Sequence, residues 1–281
     1  MMVAAAASAS VVFGQDLPAE LRPQLQKILG ETGEYCERLK GMALDFFCQE
    51  KISEIVREFE KRVGRRAVSE DISDTRIFED LRIRKTTRNS YLYDYQLVKK
   101  GGEYREQRNL LEENGRPRDE KNVLLKTMRF TAEYLVFGPV GFLSRYWQNQ
   151  FNYSIEGTDR VEGRDTFVIS AQPKEIRDDN YYRGRIWVDE KDSSILRIEW
   201  EPLAPEATTD KLASLIGNLK RKIIVTGDYA LEKNGVRFPS RMTAREIYTT
   251  GEGKEHMKYE ASYVYSGYKF FTVETEVTIK K

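Results

Sequence analysis

Hydrophobic residues along this chain follow two rhythms, and the change between them predicts the architecture. From Pro18 to Leu39 the apolar positions Leu21, Leu25, Ile28, Leu29, Tyr35, Cys36 and Leu39 recur three and four residues apart, with Gly41 just past the end. That spacing predicts an amphipathic helix with one buried face. The rhythm then drops to two: Leu44, Phe46, Cys48, Ile52 and Val56 share one parity, so a long strand follows the helix directly.

The period of two returns in a series of hairpins. Lys61 to Arg76 is charged and poor in large apolar residues and reads as a loop. Tyr91, Tyr93, Tyr95 and Leu97 alternate up to Gly101-Gly102, and Tyr104 to Leu111 run to Asn114-Gly115. Phe151–Val161 and Thr166–Ala171 flank Glu162-Gly163, while Arg185–Val188 and Ile195–Trp200 flank a six-residue turn from Asp189 to Ser194. Ile223–Leu231 and Arg241–Thr249 surround Asn234-Gly235 and Pro239; Met257–Tyr265 follows Gly251-Glu-Gly253, and Phe271–Ile279 closes the chain. Asn-Gly and its relatives favour tight turns because they accept positive φ. The total is about ten or eleven strands joined by short turns without βαβ alternation, which predicts an α+β protein of mainly antiparallel sheet.

Two stretches break this pattern. Lys121 to Phe151 is strongly apolar: Val123, Leu124, Thr127, Met128, Tyr134 and Leu135 suit a helix, Gly138-Pro139-Val140-Gly141 breaks it, and Phe142, Leu143, Tyr146, Trp147 and Phe151 suit a second short one. Such a broken helical hairpin packs either as a plug in the core or as a lid over a cavity, hinged at Gly138 and Gly141. Pro205 to Lys220 reads as a flexible insertion with a short helix around Leu212, Leu215, Ile216 and Leu219.

Charge removes one class of function. Lys and Arg number 46 against 45 Asp and Glu, a net charge of +1 over 281 residues, so the phosphate-neutralising surface of a nucleic-acid binder is not expected. The clusters Arg82-Ile-Arg-Lys85 and Lys220-Arg-Lys222 are offset by nearby acids and read as solvated. Chemistry is scarce as well. There is one histidine, His256, in a polar run at a turn-to-strand junction, where it reads as solvated. Without a phosphate loop, a Gly-x-Ser-x-Gly or His-Glu-x-x-His motif, or Cys/His metal spacing, neither an enzyme, a metal site nor a cofactor is expected. The acidic pairs Glu112-Glu113, Asp178-Asp179 and Asp189/Asp192 fall in turns, where carboxylates bond local backbone.

The first fourteen residues carry no charge, and polarity changes sharply at Gln15-Asp16, so residues 1–14 read as the end of a secretory signal peptide whose start lies upstream of Met1. No later stretch reaches the roughly 20 apolar residues of a membrane span. Export would put Cys36 and Cys48 in an oxidising compartment, where a disulfide between them is the preferred reading and two buried thiols the competing one.

The sixteen tyrosines are partly arranged. Tyr91, Tyr93 and Tyr95 share one face of a strand, as Tyr259, Tyr263 and Tyr265 share a face of theirs. Such stripes usually pack in a core, yet a buried hydroxyl needs a partner, so tyrosine-rich faces suit a half-wet hollow. With Phe137, Phe142, Leu143, Trp147 and Trp187 they form the candidate ligand-binding set.

The helix running into a long strand from Leu21 to Val56, the following hairpins, and the segments Gly163-Arg-Asp-Thr-Phe-Val-Ile-Ser-Ala-Gln-Pro173, Gly184-Arg-Ile-Trp-Val-Asp189, Ile195-Leu-Arg-Ile198 and Asn234-Gly-Val-Arg-Phe-Pro239 together resemble the periplasmic lipoprotein-carrier superfamily of LolA, LolB and the RseB N-terminal domain. That resemblance implies an unclosed, curved β-barrel with helices on its concave side, spanning residues 15–281 as a single LolA-like domain. It also implies a non-enzymatic periplasmic protein whose hollow binds a hydrophobic or amphiphilic molecule or a lipoprotein acyl chain. The alternative is an envelope-stress or interaction scaffold with a solid core and a protein partner. A membrane-spanning β-barrel is disfavoured by charge on both faces of the strands.

Overall fold

A computed structural model describes residues 22–41, 45–67, 75–100, 103–130, 134–176, 182–203 and 219–271. The expected signal segment 1–14, the Gly101-Gly102 turn and nearly all of 205–220 lie outside these residues.

The first helix, α1 (Arg22–Gly41), buries Ile28, Thr32, Tyr35, Cys36 and Leu39, the stripe that the three-and-four spacing predicts. It leads into β1 (Asp45–Ala67), followed by β2 (Thr75–Lys100), β3 (Glu103–Glu113) and β4 (Arg116–Glu120). Two short helices, α2 (Gly138–Leu143) and α3 (Arg145–Gln148), precede β5 (Phe151–Val161), β6 (Arg164–Pro173), β7 (Tyr182–Asp189), β8 (Ile195–Pro202) and β9 (Lys220–Asp228). A small hairpin of β10 (Leu231–Lys233) and β11 (Val236–Phe238) comes before β12 (Arg241–Thr249) and β13 (Glu255–Phe271).

Eleven strands form one sheet in the order β4-β3-β2-β1-β13-β12-β9-β8-β7-β6-β5, with β10 and β11 forming a separate pair. Every described pairing is antiparallel. Among the described residues the two outermost strands, β4 and β5, do not pair with each other, so the sheet they bound is unclosed. The β1–β13 joint, running from Asp45↔Phe271 to Val56↔Tyr259, sews the N-terminal hairpins to the C-terminal ones. The turns follow the sequence: Asn114-Gly115, Glu162-Gly163 and Asn234-Gly235 all have positive φ at both residues, as a two-residue type I′ turn requires.

One face of the sheet carries the core. From β1 it takes Phe46, Cys48, Ile52 and Val56, from the far half Ile169, Ile186, Val188 and Ile198, and α1 and α2 pack on top. The other face has a smaller cluster of Val161, Val168, Trp187 and Leu196. Gln148 of α3 donates to the carbonyls of Leu29 and Leu143, both at 2.7 Å, tying the helices together.

Four expectations change. Lys61 to Arg76 is not a loop throughout: β1 continues to Ala67 and β2 starts at Thr75, in register as a two-stranded ribbon. Where its side chains are described, the ribbon carries cross-strand ion pairs such as Glu58–Arg84 at 2.8 Å, and Phe59 and Leu81 pack with Tyr248 and Leu219. His256 is buried rather than solvated, because the ribbon folds against the β12–β13 turn: its ring lies edge-on to Phe59 at 5.6 Å, and Lys254 bonds Asp80 at 2.6 Å. Burial lowers its pKa, keeping the imidazole neutral at physiological pH. Residues 121–130 are non-helical, and Gly138-Pro139 begins α2 instead of breaking a longer helix, Pro being tolerated in a first turn where its missing N–H is not needed. Finally, β13 runs unbroken to Phe271, and the rest of the expected closing strand lies outside the described residues.

Phe142 of α2 rests on Gly184 of β7. A Cβ there would lie 2.9 Å from both the Glu199 carbonyl oxygen and the Phe142 ring, whereas one at Gly30 on the exposed side of α1 would meet nothing within 4 Å. Gly184→Ala is expected to lower stability by about 1–3 kcal/mol through overpacking. Gly30→Ala should raise it by roughly 0.5–1 kcal/mol through helix propensity. Urea denaturation midpoints of the two variants check both signs.

Candidate functional site

The tyrosine stripes meet across β1. Its inner-face residues stand between them in register: Ile52 is opposite both Tyr91 and Tyr263, and Glu50 is opposite both Tyr93 and Tyr265. All six candidate tyrosines, Tyr91, Tyr93, Tyr95, Tyr259, Tyr263 and Tyr265, are buried on this face. Glu50 and Glu54 occupy the same buried parity as Phe46, Cys48, Ile52 and Val56, which puts two carboxylates inside the core.

Each carboxylate has its own set of donors. Arg108 from β3 grips Glu50 with Nε at 2.7 Å and Nη2 at 3.3 Å, and gives Nη1 to Glu106 at 3.1 Å. Tyr265 donates to Glu50 at 2.9 Å and Tyr95 to Glu106 at 2.5 Å, while the guanidinium lies over the Tyr95 ring at 4.6 Å. Burial pushes the Glu50 carboxyl up, against the pull of Arg108. Burial also works against the Arg108 cation, but the Glu50 and Glu106 carboxylates outweigh it and hold its pKa above the ordinary arginine value. Burial, then the adjacent carboxylate, raises Tyr95 and Tyr265, so both remain neutral donors.

Glu54 and the remaining tyrosines hold a strap. The non-helical segment 121–130 lies across them: Met128 N–H donates to Glu54 at 3.0 Å, Tyr91 O–H donates to the Lys126 carbonyl at 3.3 Å, and Tyr93 O–H accepts from the Lys126 N–H at 3.3 Å. Tyr263 donates to the Phe130 carbonyl at 2.7 Å. Three of the six hydroxyls that suggested a half-wet hollow are thus bound to this segment's backbone, and two more to the Glu50 and Glu106 carboxylates.

Beside the strap a cleft of about 300 Å³ opens between residues 128–130 and strands β9, β12 and β13. Met128, Phe130 and Ile223 give it apolar walls, and Arg221, Glu246 and Tyr259 give it polar groups. Glu246 is buried and accepts from Arg129 at 3.0 Å, Arg221 at 2.8 Å and Tyr248 at 2.9 Å. The Tyr259 hydroxyl is buried beside Glu54 and Tyr263, with no well-aligned hydrogen bond among the described residues.

The other candidates lie elsewhere. Phe142 and Leu143 are buried beneath α1, Phe142 packing on Phe151 with ring centroids 5.5 Å apart, and Trp147 sits 6.4 Å from the Phe151 ring. Phe137 meets Tyr104 at 4.8 Å and lines a crevice of only about 10 Å³ with Leu39, Phe46, Leu97, Val136 and Phe238. Trp187 is on the opposite face, where its indole donates to Asp159 at 2.9 Å. Sequence reasoning missed Glu50, Glu54, Arg108, Arg129, Arg221 and Glu246. The first two had a signal, polar residues on the apolar parity of a strand, whereas Arg221 was read with its neighbours as solvated.

The expected disulfide is absent. Cys36 and Cys48 are free and buried. Cys36 points from α1 to the Pro139 carbonyl, 3.6 Å away, while Cys48 lies in β1 near the Tyr268 hydroxyl, so each thiol has its own neighbour. Among the described residues, no group of three or more His, Cys, Asp or Glu side chains could hold a metal ion, and no helix is long and apolar enough to cross a membrane.

No family model matches the chain, and no curated protein does. Solved structures align at low identity over most of it. An outer membrane lipoprotein-sorting type of domain from Vibrio parahaemolyticus is 12% identical, with 89% of this chain and 95% of that one covered and a TM-score of 0.37. A LolA superfamily protein from Nitrosomonas europaea is 12% identical, covering 91% and 97%, with a TM-score of 0.32. MucB, in its complex with MucA from Pseudomonas aeruginosa, is 12% identical, covering 85% and 94%, with a TM-score of 0.25. The superfamily named on sequence grounds is thus the one that the Nitrosomonas protein carries in its name. The architecture of this chain rests on its own strand order.

Three predictions come from the buried groups. Arg108→Ala strands Glu50 and is expected to cost about 3–5 kcal/mol, while the paired change Glu50→Gln with Arg108→Met recovers much of that loss; chemical denaturation of the two variants measures it. Burial raises both thiols from 9.0 to about 12, and Tyr93 from 10.0 to about 12. These groups favour their neutral forms in the fold, so their contribution is complete below about pH 9 and is lost between about pH 9 and 12, as the unfolded chain ionises first. Denaturation midpoints should fall across that window. A thiol reagent at pH 8 should label neither cysteine in the native protein and both after unfolding without reductant.

Proposed function

We propose that this chain is a non-enzymatic binding protein of the exported, periplasmic kind, and that it holds a hydrophobic or amphiphilic molecule between its open sheet and the 121–151 segment. The observation that carries the proposal is the cleft beside the strap, with Met128, Phe130 and Ile223 on its walls and buried polar groups at its floor. A volume of about 300 Å³ is at the lower end of small-molecule sites, and apolar walls with a few placed polar groups are their usual makeup. Binding would draw on apolar burial at about 25 cal/mol per Å², less the cost of ordering the ligand.

The proposal moves the ligand from beneath α2 and α3, where Phe142, Leu143 and Phe151 fill the interior, to the tyrosine-rich half of the sheet. That filled interior favours the second reading, an envelope scaffold that holds a protein partner and carries no ligand.

An alkyl fluorophore such as N-phenylnaphthylamine separates the two readings. Saturable one-site binding that Ile223→Trp abolishes without lowering the thermal midpoint supports the carrier. A lack of saturable binding, with no lipid released on solvent extraction of natively purified protein and a periplasmic protein co-purifying in fixed ratio, supports the scaffold instead.

A further inference from the structure

The polar end of the cleft has a charge that its own residues do not cancel. Arg129 and Arg221 approach from the strap and from β9, and each spends one N–H on the single carboxylate of Glu246. A guanidinium has five N–H donors, so each retains others for a further oxygen atom. Their side chains keep 30% and 31% of their surface open, while that of Glu246 keeps 4%. A newcomer therefore meets the cations before the anion. Arg245 also lines the cleft, making three cations and one carboxylate around it.

A second observation is independent of the arginines. The Tyr259 hydroxyl, on a residue only 2% exposed, lines the same cleft with Glu54 and Tyr263 as neighbours but with no well-aligned hydrogen bond to either. A buried hydroxyl whose neighbours are poorly aligned for bonding gains from an oxygen lone pair supplied along the cleft. The apolar atoms of Met128, Phe130, Ile223 and Ala244 complete the lining.

From this geometry we infer that the cleft is a recognition site for an acidic amphiphile: an oxyanion, carboxylate or phosphate monoester, carried on an alkyl chain. The head group bonds the free N–H donors of Arg129 and Arg221 and accepts from Tyr259, and the chain lies along Phe130 and Ile223. The inference rests on the amphiphile-binding reading above and adds the chemistry of the head group. Arginine suits the task because its planar fork matches two oxygens of one anion.

Titration calorimetry of the whole protein with decanoate, decyl phosphate, decanol and decyltrimethylammonium tests it. Both anions should bind at one site, about tenfold or more tighter than the alcohol, with the cation weakest; their ranking identifies which oxyanion the site is built for. Arg221→Gln should weaken the anions by about tenfold and leave decanol nearly unchanged, as expected for one lost charge-assisted bond. Tyr259→Phe removes a hydroxyl that makes no well-aligned bond within the protein, so the thermal midpoint should change little while anion affinity falls several-fold, a result that does not depend on whether the arginine variant folds. Equal binding of decanol and decanoate, or anion affinity unchanged in Tyr259→Phe and Arg221→Gln, overturns the head-group assignment while leaving amphiphile binding in place. Failure of all four compounds to bind overturns both.

Discussion

The Glu50–Arg108 pair is the constraint on which the rest of the inner face depends. A carboxylate at the centre of an eleven-stranded sheet is costly to bury, and its position is tolerable only with a guanidinium and a phenol in bonding range. These partners come from β3 and β13, so one carboxylate on β1 links strands on both sides of it. Because side chains alternate along a strand, a one-residue slip of β1 would turn Glu50 to the opposite face and leave Arg108 with Glu106 as its remaining counter-charge. The ion pair therefore acts more on the register of the long central strands than on net stability.

From that hub the inner face divides into two chemically different halves. On the β5–β8 side it is aliphatic, with Ile169, Ile186, Val188 and Ile198 under α2. Around β1, β2 and β13 it is built of tyrosines and carboxylates, and the non-helical strap is held there by hydroxyls and a glutamate rather than by an apolar stripe. A helix lying on that half would satisfy its own carbonyls and leave the phenols without acceptors; an extended segment offers Lys126 and Phe130 carbonyls to them. The local sequence of 121–130, apolar at helical spacing, thus yields to what lies beneath it.

Much of the architecture was legible in the sequence because it was written in local signals. The helix stripe of Ile28, Tyr35, Cys36 and Leu39, the alternation of Tyr91, Tyr93 and Tyr95, and the Asn-Gly turns each act within a few residues. The site was less legible, because its parts are far apart in sequence: Arg129 and Arg221 reach Glu246 across 117 and 25 residues. Nothing local distinguishes Arg221 from the solvated lysines beside it. The cysteines misled for a related reason, since a dozen intervening residues bring two thiols near each other only if the helix and strand that carry them turn those side chains together. Here they face different neighbours.

The sheet's open edges have a mechanical consequence. β4 is short and reads Arg-Pro-Arg-Asp-Glu, and β5 is bent by a register shift between Ile155 and Gly157, two ways of discouraging another chain from pairing there. A closed barrel fixes its diameter through an unbroken ring of hydrogen bonds, so enlarging it means breaking a ladder. This sheet has no such ring. Its two wings can spread or draw together by adjusting twist alone, and the space between them is governed by what packs on the inner face: helices on one wing, a hydroxyl-bound strap on the other.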